Sequence, residues 1–575
     1  MFNIVLKMDY GICGTLAKKK SIMLQRISAI LFILCFISTV GAQNPVNNSL
    51  KLQVLKQNPK LVVGVVVDQM RYDYLTRFYE RFGEGGFKRL LNEGFNCKNN
   101  HFNYIPTYTG PGHASIYTGT TPSNHGIISN NWYNKFEKEV IYCAADPSVK
   151  AVGSTSEKER MSPHRMKTTS IADQNRLHTQ MQGKTIGISI KDRGAILPAG
   201  HTANGAYWFR GKEEGQWITS TYYRNDLPKW VQDFNKSGKA TSYLKEWKTL
   251  YPMDSYVASG PDENTFEQGF TGKATATFPY DLAKLKEGNG GYDIIKASPY
   301  GNSLVTDFAI AALEGERLGK DAITDFLTVS FSSTDYIGHN FGVNSKEIED
   351  TYLRLDQDLA RFLKALDKKV GQGAYTLFLT ADHGAVQVPS YLKSVKIPAG
   401  YFDNDTFVKA VESYVESTFG TTSLIEKISN DQVFFDYKIL AEKKVDAKML
   451  QGGIAHFMIQ YQQIDKVFTR AQLTSSTFTN GIGTLVQNGF NQKRSGDVVY
   501  VLDPATIVYP EKGSTHGSGN SYDTHAPLLF YGKGIKKGST TNKTYIVDIA
   551  PTIASLLGIA FPNGTTGNVL SDVME

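Results

Sequence analysis

The chain reads as an α/β protein, a mostly parallel central sheet flanked by helices on both faces, with cap regions inserted between strands. Three observations predict this. Four continuous apolar runs of strand length, Leu61 to Val67, Thr185 to Ile190, Phe326 to Phe331 and Ala374 to Thr380, have the pattern of strands buried on both faces. Segments with helical spacing lie between them, as a parallel sheet requires. Each run also leads into charged or imidazole side chains, at the edge where open α/β sheets bind ligands.

The N-terminus has the pattern of a secretory signal. Lys18, Lys19, Lys20 and Arg26 precede a mostly apolar run, Ala29 to Val40, and Val40-Gly41-Ala42 places small residues before Gln43. Cleavage is expected after Ala42, although Met23 would make a tidier start than Met1. The apolar run is short of the about 20 residues of a membrane span. No other long apolar stretch follows, so a mature protein without stable membrane association is expected, in the periplasm or outside the cell. Removing residues 1–42 lowers the formal charge from +7 to +3. So weak a balance gives no argument for nucleic acid. Cys13 and Cys35 leave with the signal. Cys97 and Cys143 remain and could pair in an oxidising compartment, which the sequence leaves open.

Residues 43–59 are polar and read as a leader. The first strand follows and ends in Asp68. The stretch from Asn103 to Asn130 contains the turn Thr109-Gly110-Pro111-Gly112 before a short helical pattern, His113 to Thr118. A hydroxyl at that helix N-terminus lies where free amides and the dipole favour an anion. Its plain alternative is an N-cap, worth about 1 kcal/mol. After Thr185 to Ile190, Lys191-Asp192-Arg193 reads as a continuation of the strand, with Lys191 and Arg193 on one face. Residues 201–299 are rich in Tyr, Trp, Gly and Lys with weak periodicity, and read as an inserted cap. A helix over Ser303 to Leu318 leads into the third strand. Asp335 and His339 come soon after, four residues apart. Ser345 to Val370 is an amphipathic helix whose apolar residues are core. The fourth strand ends in Asp382-His383-Gly384. Residues 389–510 mix helix and strand patterns as a second insertion. The core resumes with His516 in a loop, a strand over Ala526 to Gly532, and a closing strand and helix from Tyr545. The catalytic core is thus expected over 60–200, 300–388 and 511–575.

Three Asp, three His and one Thr form a donor set suited to two zinc ions with mixed nitrogen and oxygen ligation. The residues also resemble those of the alkaline phosphatase superfamily, most closely its single-chain PafA-type alkaline phosphatases. The resemblance rests on Val67–Leu75, Thr109–His113, His125–Asn131, Ser332–His339, Ala381–Gly384 and Thr515–Ser518. It implies one zinc held by Asp335, His339 and His516, and a second held by Asp68, Asp382 and His383 beside the Thr109 oxygen. It implies Thr109 as nucleophile, forming a phosphothreonine, with Asn130, Lys191 and Arg193 on the phosphoryl oxygens. The activity implied is hydrolysis of small phosphate monoesters, and a monomer is compatible with it. A nucleotide pyrophosphatase/phosphodiesterase of the same superfamily is the alternative. A secreted phosphate- or metal-binding protein is the non-enzyme one. Sulfatase chemistry is disfavoured, because Thr109 cannot become formylglycine and His113 stands where those enzymes carry Arg. The remaining histidines, His101, His113, His125, His164, His178, His201, His456 and His525, are expected to be structural or exposed.

Overall fold

The first strand, Leu61–Val67 (β1), is buried at every position, because it has a strand on each edge and helices over the sheet. The computed structural model describes residues 58–575; the signal pattern, its cleavage site and most of the polar leader lie outside the described residues. The other strands of the central sheet are Phe95–His101 (β2), Ala151–Val152 (β3), Thr185–Ser189 (β4), Gly205–Arg210 (β5), Gln216–Ser220 (β6), Asp325–Phe331 (β7), Tyr375–Thr380 (β8), Leu528–Gly532 (β9) and Gly538–Tyr545 (β10). Their order is β10-β2-β9-β8-β1-β7-β4-β5-β6-β3. The central strands β8, β1, β7, β4 and β5 are parallel, so their carboxyl ends open on one edge. The strand β9 runs antiparallel between β8 and β2. The fold is therefore the expected α/β sheet.

The flanking helices that position the site are Thr109–Thr118 (α1), Asp192–Ala199 (α2), Pro299–Gly315 (α3), Ser333–Phe341 (α4), Lys346–Leu366 (α5) and Ile549–Leu557 (α6). The helix α5 follows the amphipathic reading: Ile348, Tyr352, Leu355, Leu359, Phe362, Leu363 and Leu366 are all buried. Its N-cap, Ser345, accepts the backbone N–H of Ile348 at 3.1 Å. Proline at the first position of α3 starts that helix four residues before the expected Ser303, since a first-turn residue needs no N–H partner.

Two expectations are corrected and one open question is answered. Lys191-Asp192-Arg193 does not continue its strand. Ser189 ends β4, Lys191 becomes the N-cap of α2, and Arg193 lies in its first turn. Alternation of faces therefore does not apply to the pair. The region expected as a cap, 201–299, begins with β5 and β6, which extend the central sheet. Their aromatic residues Tyr207, Trp208, Phe209 and Trp217 are core. Cys97 and Cys143 do not pair; both are free and buried. Within the second insertion a four-stranded sheet, Ile425–Ser429, Gln432–Phe435, Val498–Leu502 and Ile464–Thr469 in that order, shares its own apolar core with the helices Asn404–Phe419 and Ala447–Met458.

Candidate active site

Each site residue follows from where its element ends. Asp68 leaves β1, and Asp382 and His383 follow β8, the next strand over. Asp335 and His339 are one helical turn apart on α4, which follows β7. The i, i+4 spacing places them side by side, His339 Nε2 3.2 Å from Asp335 Oδ1. His516 comes from the loop before β9. Two groups of three result, Asp335/His339/His516 and Asp68/Asp382/His383, with ligand atoms within 4.8 Å inside each group. The rings of His383 and His516 stack at 3.5 Å and join the two groups.

The chemistry of these groups fits a metal pair. Asp68 Oδ1, Asp382 Oδ2 and His383 Nε2 are buried and make no hydrogen bond. Unpaired polar atoms in an interior are costly unless something else satisfies them. Each histidine has its Nδ1 on a backbone carbonyl: His339 on Ser514 at 2.7 Å, His383 on Gly384 at 2.9 Å and His516 on Thr107 at 2.7 Å. That partner fixes the Nδ1–H tautomer and leaves Nε2 as a donor pair aimed into the site. Three nitrogen and three carboxylate donors suit zinc.

Thr109 opens α1 and is buried. The expected helix from His113 in fact begins at Thr109, with Tyr108 as N-cap. The Thr109 Oγ1 lies 3.5 Å from an Arg193 nitrogen. Asn130 Oδ1 accepts the Gly110 N–H at 2.7 Å, which leaves the Asn130 amide N–H₂ as the free end. A side chain at Gly110 would bring a Cβ to 3.0 Å from Asn130 Oδ1, so glycine keeps this approach open. Arg193 Nε is buried without a partner, as an anion-binding guanidinium would be. Thr109, Asn130, Arg193 and both ligand groups thus converge on one edge of the sheet. Lys191 converges too, but its Nζ lies on two carboxylates, 2.8 Å from Asp68 Oδ2 and on Asp335 Oδ2.

The charges support one another. Burial would lower the Lys191 pKa, but Asp335 and Asp68 outweigh it and hold the ammonium charged. Burial would raise Asp335, and His339 with Lys191 holds it well below the usual carboxylate range. Asp382 is held low by His383 and His113 against its own burial. Asp68 goes the other way, pushed up to about 7 by burial and by the charges of Asp335 and Asp382. A bound cation would reverse that shift.

Four supporting residues escaped the sequence reading. His113, expected to be structural, has its Nδ1 2.9 Å from the Thr109 carbonyl and 3.3 Å from Asp382 Oδ2. Gln69 donates its side-chain amide to Asp335 at 2.8 Å and its backbone N–H to Asp382 at 3.1 Å, bracing both groups. The Tyr142 hydroxyl donates to Asp192 and accepts from Arg193 at 3.1 Å. Tyr108 sets its ring edge-on to His516 at 5.6 Å. For His113 the signal was available: it lies one helical turn from Thr109. For Tyr142 there was none, since its partner is fifty residues away.

Comparison with known proteins gives the family. Residues 62–526 match the family described as type I phosphodiesterase / nucleotide pyrophosphatase. The chain is 48% identical to a Myroides odoratus protein named calcium-transporting ATPase, over 90% of this chain and 95% of that one. It is 46% identical to alkaline phosphatase PafA of Elizabethkingia meningoseptica, over 90% of this chain and 94% of that one. A crystal structure of alkaline phosphatase PafA superposes with a TM-score of 0.87 at 44% identity, covering 90% of this chain and 99% of that one. Such similarity across nearly the whole length of both chains makes this protein a member of the type I phosphodiesterase / nucleotide pyrophosphatase family, in its branch of PafA-like alkaline phosphatases.

Proposed function

We propose that the protein is an exported alkaline phosphatase that hydrolyses phosphate monoesters through a phosphothreonine. What carries this reading is the convergence of Thr109, Asn130 and Arg193 with the two ligand groups at the carboxyl edge of the sheet. Asp335, His339 and His516 would hold one zinc, and Asp68, Asp382 and His383, with Thr109 Oγ1 beside them, a second. When bound, such a pair lowers the pKa of a hydroxyl and neutralises charge developing on oxygen. Thr109 Oγ1 attacks phosphorus. The new Oγ1–P bond forms as the P–O bond to the alcohol breaks on the opposite side, and the alcohol leaves with a proton. Water then cleaves the phosphothreonine, returning the hydroxyl and releasing inorganic phosphate. The Arg193 guanidinium offers planar paired donors to two phosphoryl oxygens, and the free Asn130 amide donates to another. Lys191 keeps a positive charge between the two ligand groups.

The second reading is a phosphodiesterase, which the description of the matched family favours. A monoester presents two negative charges to Arg193 and Lys191, and a diester presents one together with a second organic group. A charged hydrogen bond contributes about 1.5–3 kcal/mol, so losing both cations should cost a monoester several powers of ten. The test compares kcat/KM for a matched monoester and diester in wild type and in Lys191→Ala/Arg193→Ala. The wild type should prefer the monoester, and the double variant should lose most of that preference. A wild type that prefers the diester would establish the second reading instead. The ATPase name of the Myroides protein fits the same chemistry, hydrolysis at a terminal phosphate. Among the described residues, no helix is long and apolar enough to cross a membrane.

A further inference from the structure

Beside the ligand group of His516 lies a cavity of 420 Å³. His516 and the residues around it form one wall, and the second insertion forms the other. Tyr108, Asp431, Tyr500, Asp503, His516 and Asp523 are among its lining residues, and no lysine or arginine is. The acidic wall is a placed feature. Asn430 and Asp431 form the tip of the Ile425–Ser429/Gln432–Phe435 hairpin, both with left-handed backbone, φ +53° and +57°. The Asn430 amide donates to the Asn131 carbonyl at 2.6 Å, which fastens the tip to the residue after Asn130. The Tyr500 backbone N–H donates to the Asp431 carbonyl at 3.0 Å, which ties the tip to the strand behind it. On the opposite wall Asp523 is 1% exposed, and its Oδ2 accepts from Gly517, Ser518 and the Ser518 hydroxyl while Oδ1 makes no hydrogen bond.

The position of this cavity defines what it would receive. Attack by Thr109 beside the Asp68/Asp382/His383 group expels the alcohol on the far side of phosphorus, toward the Asp335/His339/His516 group. The cavity adjoins that group through His516, and Tyr108, the neighbour of Thr109, also lines it. We infer that it is the leaving-group pocket and that its three aspartates select phosphate esters of cationic alcohols, such as aminoalkyl or quaternary ammonium alcohols. The inference rests on the phosphatase reading and adds the substrate class. Ammonium groups are attracted by carboxylates and by tyrosine faces, and both line this space. Alcohols that carry a carboxylate or a second phosphate are repelled.

The test uses two esters of the same shape, trimethylammonioethyl phosphate and its neutral isostere with carbon in place of nitrogen. The leaving alcohols differ in intrinsic reactivity, so the readout is how a substitution changes the ratio of their kcat/KM values. Asp431→Asn is the first variant, because asparagine tolerates the left-handed backbone at that tip. Asp503→Asn is the second. The ratio of cationic to neutral ester should fall about ten-fold in Asp431→Asn, the scale of one partly solvated charge contact, and further in the double variant. A ratio unmoved by both substitutions would overturn the inference while leaving the phosphatase reading standing. If the wild type hydrolyses p-nitrophenyl phosphate but neither ester, this inference alone fails; if it hydrolyses none of the three, the phosphatase reading fails with it.

Discussion

At the scale of a residue, the sequence offers Thr109 as a helix cap or as the proposed nucleophile, and the structure removes the cap. Tyr108 is the N-cap, so the Thr109 hydroxyl is not needed there and points to Arg193. Thr109→Ala should lower turnover of a monoester by several powers of ten, whereas Thr109→Ser, which keeps an oxygen, should retain part of it. Acid-quenched turnover followed by mass spectrometry should find phosphate on Thr109 in the wild type. Its absence, with an active alanine variant, would remove the nucleophile assignment. Most of the candidate ligands were legible in the sequence because Asp68, Asp335, Asp382 and His383 lie soon after an apolar strand, where side-chain type carries the signal; His516, in the loop before β9, had no such strand directly ahead of it. Lys191 and Arg193 were legible as site residues but not in their geometry. Three charges after a strand read equally well as strand or as helix start. Tyr142 was not legible at all, since its role depends on a contact made only by folding.

Glycine contacts decide the fit between elements. Gly112 in α1 packs directly on the loop after β8: a Cβ there would lie 2.7 Å from the Asp382 Cβ. Real contacts of that kind do not occur, so either α1 or the Asp382 loop must move. Gly112→Ala should therefore cost about 1–3 kcal/mol of stability, the range for overpacking. It should also displace Asp382 from its group. Metal analysis should find two zinc ions per wild-type chain and fewer in the variant, with activity falling in step. Full zinc and full activity in Gly112→Ala would show that the packing is softer than the geometry implies. At this scale the sequence was informative wherever periodicity was strong, as in α5. It failed in 201–299, because β5 and β6 are aromatic-rich strands without the aliphatic runs that marked the other central strands.

Two buried glutamates make the stability of the whole molecule pH-dependent. Glu267, from the cap region, forms no ion pair among the described residues; the Asn264 amide donates to its Oε1 at 2.7 Å and its Oε2 has no hydrogen bond. Glu347, in α5, accepts from the Tyr280 hydroxyl at 2.6 Å. Burial, followed by the Glu347 charge, pushes Glu267 up to about 10, and burial pushes Glu347 up to about 8. Both values lie above the 4.5 of an exposed glutamate, so the folded state holds more protons than the unfolded one across that window. The contribution of this pair is then full below about pH 4.5 and is lost as pH rises toward 8 and 10. In thermal unfolding of the zinc-loaded protein, Glu267→Gln should raise Tm at pH 10 and change it little at pH 6. An equal shift at both pH values would point to packing rather than to the proton.

The sheet order has a consequence for biosynthesis. The strand β2 emerges early, yet its neighbours are β9 and β10, from the last fifty residues of the chain. Until those arrive, β2 has no ladder partner and β8 offers one open edge, even though β1, β7, β4 and β5 can already pair. Unpaired edges of this kind template intermolecular association. Folding must therefore carry a polypeptide with open strand edges until its final segment docks, and His516, in the loop before β9, joins Asp335 and His339 only at about the same moment. A chain truncated before β9 should therefore expose the edges of β2 and β8, and light scattering of such a truncation should show association that the full chain does not.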